Sequence, residues 1–266
     1  MWLQLFALIA LVQLIKAAPT NDGQRVVNGT DTTIQEYPFM VSLRSSAGYH
    51  SCGGSILTRN WIMTAAQCVD SNTASQQTIQ VGRTNVSSIA DESVFKIELV
   101  IQHPEYDPSN SYINDIALLK LVNPLKFSVS IQPVTLPEPF FEVDEADLEV
   151  TLVGWGVNND GIFSDTLQKV DYYVVPNEQC NEIHGNNTIY PSQICAAEPG
   201  GGKGQCSGDS GSPLLHRGVQ VGIVSWNIQP CTIAPYPGVL TKVSHYIDFI
   251  YEHTDLRPAT GLIWDQ

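Results

Sequence analysis

The chain has 266 residues, of which 43% are hydrophobic and 15% are charged, which excludes a disordered protein and indicates a globular one. This length suits one large domain or two small ones with a substantial buried core. The formal net charge of −14 argues against nucleic acids and anionic membranes as partners, because both repel a negative surface.

The N-terminal segment is an apolar run, MWLQLFALIALVQLI, followed by the small-residue pair Ala17-Ala18. These features are typical of a cleaved secretory signal, which we place at residues 1–17. A membrane anchor is the alternative interpretation, but the run is short for a membrane span. We therefore predict that the protein is secreted and extracellular.

Cysteines and glycosylation sequons fit passage through the secretory pathway. Six cysteines in a secreted chain favour three disulfides, and the sequence alone leaves their pairing open. Zinc binding is the competing interpretation, but no Cys-x-x-Cys pair with metal-ligand spacing occurs. Candidate N-glycosylation sequons begin at Asn28, Asn85 and Asn186.

Short β-branched runs, broken by Gly, Pro, Asn and Asp, make up most of the remaining chain. Examples are FMVSLR, GGSILTRNWIMTA, SVFKIELVIQ, IALLKL, LEVTLVGWG, LQKVDYYVV and VQVGIVSW. Strands at this density predict an all-β sandwich or barrel. Short helices are predicted near PNEQCNEIH and in VSHYIDFIYEH, where apolar residues recur at helical spacing. We find no repeat or linker, so we predict one domain from Val26 onward.

Two segments carry residues suited to nucleophilic chemistry. GDSGSP at 208–213 sets Ser210 between glycines, a loop that can expose a nucleophile and offer the N–H groups of Gly208 and Ser210 as an oxyanion hole. NDIALLKL at 114–121 puts Asp115 at the mouth of an apolar strand, where a carboxylate is costly without hydrogen-bond partners. Taken singly, these residues are equally typical of a turn serine and a strand-capping aspartate.

Eight motifs in a fixed order give these segments a common context. They are RVVNG at 25–29, CGGSIL at 52–57, TAAQC at 64–68, NDIALL at 114–119, GWG at 154–156, CSGDSGSP at 206–213, SWN at 225–227 and PGVLTKV at 237–243. On these motifs the chain resembles the chymotrypsin/trypsin-like serine proteases, peptidase family S1, from about Val26 to about His253.

The resemblance implies an all-β fold of two six-stranded antiparallel barrels with a C-terminal helix, and an active site in the cleft between the barrels. It implies a short propeptide at residues 18–25 before a peptidase-like domain at 26–266. It also implies the disulfide pairs, which are Cys52–Cys68, Cys180–Cys195 and Cys206–Cys231.

The same resemblance places Ser210 at the nucleophile position and Asp115 at the position that orients the general base. The family's TAAHC is TAAQC here, so Gln67 stands where the base is expected. The Gln67 amide could donate to Asp115 and accept from Ser210, but neither amide atom titrates near neutral pH. We expect structural or solvated roles, rather than replacement of the base, for the chain's histidines: His50, His103, His184, His216, His245 and His253.

Positions of the family's specificity pocket correspond to Gly204, Asn227 and Gly238. Gly204 supplies no acid at the pocket base for Arg or Lys, so any remaining preference should be for small or apolar side chains. Asn227 replaces a glycine that normally keeps the pocket open, and Ser212 replaces a second glycine. We therefore expect a narrowed pocket entrance.

The family's activation switch is intact in the sequence. Cleavage after a basic residue frees an N-terminal amine that inserts and pairs with the aspartate before the nucleophile. The corresponding residues here are Arg25, Val26 and Asp209. Because a buried pair is strongly destabilised when one partner is missing, we expect processing after Arg25 to be retained.

These features predict a secreted, inactive serine protease homologue that acts by binding, as a cofactor, decoy or modulator of proteolysis. The expected partners are proteins: an active protease, its substrate or an inhibitor, together with a protease that cleaves after Arg25. We expect a monomer without metal or cofactor. The alternative function is a weakly active chymotrypsin- or elastase-like endopeptidase.

Overall fold

The structure, a computed structural model, describes residues 27–69, 76–139, 141–158, 161–186 and 188–257. The predicted signal at 1–17, the propeptide at 18–25, Val26 and the chain after 257 lie outside the described residues. Within the described ranges, no helix has the length and apolar character that crossing a membrane requires.

A closed antiparallel barrel is built by six strands of the N-terminal half. The two-residue strand β1 (Thr30–Asp31) precedes it. The barrel strands are β2 (Met40–Arg44), β3 (His50–Ile56), β4 (Trp61–Thr64), β5 (Thr78–Val81), β6 (Val94–Gln102) and β7 (Ala117–Leu121). Their order around the barrel is β2-β3-β4-β7-β6-β5.

Six further strands form the second barrel. They are β8 (Glu149–Gly154), β9 (Gln168–Val175), β10 (Gln193–Ala197), β11 (Pro213–His216), β12 (Val219–Trp226) and β13 (Gly238–Lys242). The order is β8-β9-β10-β13-β12-β11, and β8 closes the ring by pairing with β9 and with β11. β1 adds to the outside of this ring by pairing with β9. The prediction of two six-stranded barrels is confirmed.

Alternation of side chains along β9 shows why such segments form barrel strands. Gln168, Val170, Tyr172 and Val174 are buried, while the residues between them are partly or fully exposed. This period of two matches the pleat of a strand, whose successive side chains point to opposite faces. Val170, Tyr172 and Val174 therefore fill the core of the second barrel.

Among the described residues, two short α-helices complete the fold, at the places that the sequence predicted. α1 (Asn177–His184) follows β9, and α2 (Ile247–His253) continues a 3-10 turn at Val243–Tyr246. Ile247 and Ile250 of α2 are buried in the core of the first barrel, although α2 follows the last strand of the second. The C-terminal helix thus ties the two barrels together.

All six cysteines are paired as the resemblance implied. Cys52–Cys68 joins β3 to the turn that carries Gln67. Cys206–Cys231 joins the loop before Ser210 to the loop after β12, while the third bridge joins α1 to β10. Two of the three disulfides therefore brace segments of the candidate site.

Candidate active-site cleft

The first barrel contributes Gln67 and Asp115 to the cleft. Gln67 lies in the 3-10 turn just after β4, and Asp115 lies just before β7. Because β4 and β7 pair with Thr64 opposite Ala117, these two segments leave the barrel side by side. The Gln67 backbone N–H donates to Asp115 Oδ1 at 2.9 Å, and Gln67 Nε2 donates to Asp115 Oδ2 at 2.7 Å.

The orientation of the Gln67 amide follows from its neighbours. Its Nε2 also donates to the carbonyl oxygen of Ser225 at 2.6 Å. A carboxylate and a carbonyl only accept hydrogen bonds, so the NH₂ end must face them and the amide oxygen must face away. The amide oxygen is a weak acceptor that takes up no proton near neutral pH.

Asp115 is fully buried, and Ser225 of the second barrel completes its surroundings. Burial raises the pKa of the Asp115 carboxyl, and hydrogen bonds from Ser225 and Gln67 oppose that rise. Ser225 Oγ donates to Asp115 Oδ2 at 2.6 Å. The sequence placed Ser225 only within the SWN motif and missed this role, which requires the tertiary approach of β12 to the start of β7.

Ser210 reaches the cleft from the second barrel. Its carbonyl accepts a hydrogen bond from the Gly53 N–H at 2.8 Å. The following Gly211 has φ of 82°, and a Cβ there would clash with Thr64 at the end of β4. This contact sets Ser210 beside the turn that carries Gln67. Of the two hydrogen bonds expected for the Gln67 amide, however, only the one to Asp115 is formed; within the described ranges, none joins Gln67 to Ser210.

The backbone at Gly208 has the conformation that an oxyanion hole needs. Gly208 has φ of 89°, which side-chain-bearing residues rarely adopt, and a Cβ would clash with the ring of Phe163. In the described part of the chain, no acceptor lies within hydrogen-bond reach of the N–H groups of Gly208 and Ser210. These two amides are therefore available to an oxyanion.

His50 contacts the Ser210 loop at Gly208, and its hydrogen bonds and burial suit a structural role. Its Nε2 donates to the Gly208 carbonyl at 3.0 Å, so Nδ1 accepts from the Ser42 hydroxyl at 2.8 Å. Burial lowers the pKa of His50 to about 4. Throughout the described residues, no histidine ring is hydrogen-bonded to Ser210.

Asp209 lies in a tight chamber next to Ser210. It is fully buried, and its carboxylate accepts hydrogen bonds from the N–H groups of Gly156 at 2.9 Å and Cys206 at 3.0 Å. A Cβ on Gly154 or Gly156 would clash with this carboxylate, which explains the glycines of the GWG motif. Burial raises the pKa of Asp209 to about 7.

The start of the described chain approaches the same region. Val27 forms a β-bridge with Gly204, and Asn28 Nδ2 donates to the Gly202 carbonyl at 2.6 Å. Within the described ranges, Asp209 has no ion-pair partner. Arg25 and Val26 lie outside those ranges, so the predicted pairing of Asp209 with a new N-terminus stays a prediction.

The pocket positions Gly204, Asn227 and Gly238 surround a side chain that sequence reasoning missed, that of Gln205. Asn227 Nδ2 donates to the Gln205 carbonyl at 3.1 Å, and the Gln205 side chain lies against Gly238. Gln205 directly precedes the motif CSGDSGSP in the sequence. The direction of its side chain depends on the carbonyls of Trp226 and Val239, which belong to two other segments of the chain. The Gln205 side chain thus lies among the three pocket positions, and the expected preference for small or apolar side chains stays a prediction.

The other predicted positions lie at the surface. Asn85 is exposed and its Oδ1 accepts from the N–H groups of Ser87 and Ser88, while its Nδ2 is directed to no described acceptor. Asn186 is also exposed, whereas Asn28 uses Nδ2, the glycan-bearing atom, in its contact with Gly202. No set of three His, Cys, Asp or Glu side chains in the described part of the chain is placed to hold a metal ion.

Comparison with known proteins agrees with this geometry. A sequence model of the trypsin family matches residues 26–250. Trypsin II-P29 of Gallus gallus is 34% identical over 252 residues, which cover 93% of this chain and 97% of that protein. Trypsin of Phaedon cochleariae is 34% identical over 89% of this chain and 91% of its own length. Serine protease 1 of Rattus norvegicus is 34% identical over 92% of this chain and 96% of its own length.

Proposed function

The chain belongs to the trypsin family of serine proteases, and we propose that it is a secreted, catalytically inactive member that acts by binding other proteins. Its role would be that of a cofactor, decoy or modulator of proteolysis. The single observation that carries this proposal is Gln67, whose amide NH₂ is directed to Asp115 and to the Ser225 carbonyl. The side chain at the position expected for the base thus ends in an amide, which takes up no proton near neutral pH.

The chemical consequence of Gln67 is large. The attack of a serine hydroxyl on a carbonyl needs a base that accepts the proton during the step. In a serine protease of another fold, removing that base lowers turnover by roughly 10⁶-fold, or about 8–9 kcal/mol of barrier. With a loss of turnover of this size, the protein would function through the surface that it presents to partners and not through catalysis.

Further departures in the same cleft support the proposal. The side chain of Gln205 reaches across the pocket positions to the Trp226 carbonyl, and Asn227 donates to the Gln205 carbonyl. Ser212 places a hydroxyl where it is buried without a hydrogen-bond partner among the described residues. Several changes around one cleft fit relaxed selection on catalysis better than a single accident at position 67.

Processing is a separate part of the proposal. We expect a protease to cleave after Arg25, since Asp209 remains buried with a raised pKa and would be stabilised by a new amine. The protein would then act outside the cell as a monomer without cofactor. Nucleic acids and membranes are not expected as partners, because the net charge is −14.

A second candidate function is weak endopeptidase activity of chymotrypsin or elastase type. Two observations favour it: the amides of Gly208 and Ser210 are open to an oxyanion, and relatives with about a third of their residues identical carry the names trypsin and serine protease. Binding and an oxyanion hole alone leave a residual acceleration of about 10³–10⁴-fold over water.

The experiment that separates the two candidates compares the protein with its Ser210→Ala variant. Both are cleaved after position 25 and added to the fluid in which the protein occurs, and hydrolysis of peptide substrates by the resident proteases is followed. A binding protein changes that hydrolysis equally with or without the Ser210 hydroxyl. An effect that disappears in Ser210→Ala would show that the protein acts through its own chemistry.

A further inference from the structure

The side chain of Gln205 runs through the space that pocket residues enclose. Its Nε2 donates to the Trp226 carbonyl at 2.8 Å and lies 3.4 Å from the Val239 carbonyl. Trp226 precedes Asn227 and Val239 follows Gly238, so the Gln205 amide is bound to the backbone of two walls of the pocket at once. A Cβ on Gly238 would lie 2.7 Å from Gln205 Cδ, which puts the amide directly against the third wall.

The base of the pocket is buried. Gln205 is only 3% exposed, and Gly204 at the base is buried. A Cβ on Gly204 would meet the Thr232 methyl at 3.4 Å and the Tyr172 ring at 3.8 Å. These are ordinary van der Waals contacts, and Gly204 and Gln205 both line an open cavity.

The mouth of the pocket carries a second contact. Asn227 reaches across to the Gln205 carbonyl and joins the strand end after β12 to the segment before Ser210. A cavity of about 310 Å³ is lined by Gln205 and by the pocket positions Gly204, Asn227 and Gly238, together with residues of β9, α1 and the loops at 198–203 and 232–237. Neither Gln67, Asp115 nor Ser210 lines it, so this cavity is separate from the reacting groups.

We propose that Gln205 crosses the specificity pocket and that Asn227 holds its mouth closed, so that no partner side chain entering from the Ser210 side can reach the cavity at its base. In the serine protease template this pocket sets specificity by accepting one side chain of the substrate. This chain would therefore recognise its partners by the surface around the cleft, and would not act as a decoy for inhibitors that bind in a substrate-like way. The inference deepens the proposed function, yet it rests on the pocket and not on Gln67.

The test uses a standard-mechanism protein inhibitor of chymotrypsin-like proteases, made with either Leu or Gly at the residue that enters the pocket. The ratio of the two dissociation constants measures the pocket alone, because all other contacts are shared. For the wild-type protein cleaved after Arg25, we expect a ratio near one, or no binding of either form. A wild-type preference for Leu of about tenfold or more would overturn the proposal.

Variants then locate the cause. Gln205→Ser combined with Asn227→Gly should raise the preference for Leu to at least about tenfold, because burial of one aliphatic side chain is then possible. Gln205→Ala is a second route if the double variant does not fold. Gln205→Met keeps a side chain across the pocket and should leave the ratio near one, and Gln220→Ser removes a buried glutamine elsewhere in the barrel as a control for general loosening.

The outcomes separate this inference from the proposed function. A folded, opened variant that fails to distinguish Leu from Gly would overturn the closed pocket, whatever the activity of the protein. Conversely, measurable turnover by the wild type with a Leu-to-Gly ratio near one would contradict the proposed inactivity and leave the closed pocket standing.

Discussion

Replacing Gln67 with histidine should restore activation of Ser210. The backbone at position 67 is already held by Asp115, whose Oδ1 accepts its N–H at 2.9 Å. The present side chain donates to Asp115 Oδ2 at 2.7 Å, and an imidazole Nδ1–H can take over that hydrogen bond. The second ring nitrogen then faces away from Asp115, as the amide oxygen does now, and provides the missing proton acceptor on the cleft side.

The size of the effect follows from the role of a general base. Proton transfer by a positioned side chain contributes about 10²–10⁴-fold to a reaction rate. A fluorophosphonate probe needs the Ser210 nucleophile and the oxyanion hole but no side chain in the specificity pocket, so it reports the base alone. We expect Gln67→His to label at least about 100-fold faster than the wild type.

The assay is labelling of the protein cleaved after Arg25, followed by intact mass. Gln67→His with Ser210→Ala sets the background, and Gln67→Asn tests whether any change at position 67 is sufficient. Peptide hydrolysis should recover less than labelling, and adding Asn227→Gly should raise it above the single variant. If Gln67→His is folded and labels no faster than the wild type, the absence of a base at position 67 is not the main cause of the low reactivity of Ser210.

Three other expectations concern stability and modification. Asp209 has a folded pKa of about 7 against an ordinary 3.8, so the folded protein keeps a proton that the unfolded chain releases between these pH values. The free energy of unfolding should therefore fall by up to about 4 kcal/mol as the pH rises from 3.8 to 7. Cleavage after Arg25 should reduce this loss in urea unfolding, and equal pH profiles for cleaved and uncleaved protein would contradict the pairing of Asp209 with the new N-terminus. Ser212→Ala should stabilise the fold by about 1 kcal/mol, since the buried Ser212 hydroxyl has no partner among the described residues. Ser225→Ala should destabilise the fold by about 1.5–3 kcal/mol, since the Ser225 hydroxyl donates to buried Asp115. Melting temperatures that shift in the same direction for both variants would contradict this distinction between the two hydroxyls. Asn85→Gln should lower the mass of secreted protein by one glycan, and an unchanged glycan mass would mean that this exposed sequon is empty.

Much of the fold was accessible from the sequence because it is encoded locally. The alternation along LQKVDYYVV predicted β9, and the helical spacing in VSHYIDFIYEH predicted the C-terminal helix. Closure into two six-stranded barrels and the disulfide pairs came from the resemblance, since strand order and cysteine pairing depend on contacts far apart in the chain. Both were confirmed.

The site was predictable as a set of positions but not as a set of side-chain directions. The sequence identified Gln67, Asp115 and Ser210, yet the Ser225 carbonyl that takes the second Gln67 hydrogen bond lies 158 residues away. Gln205 was passed over for the same reason, because its amide is directed by Trp226 and Val239. Sequence pattern gives the identity of a residue in a pocket, while the contacts that orient it are tertiary.

The most direct measurement of the central claim is the turnover of the purified protein after cleavage at Arg25. The substrates are peptides with Phe, Leu, Ala or Arg before the scissile bond, and Ser210→Ala prepared in the same way provides the background. We expect the wild-type rate to equal the Ser210→Ala rate on every substrate, because Gln67 accepts no proton. Turnover that depends on Ser210 and lies within a hundredfold of a digestive trypsin, a range of about 2.7 kcal/mol in barrier, would contradict it.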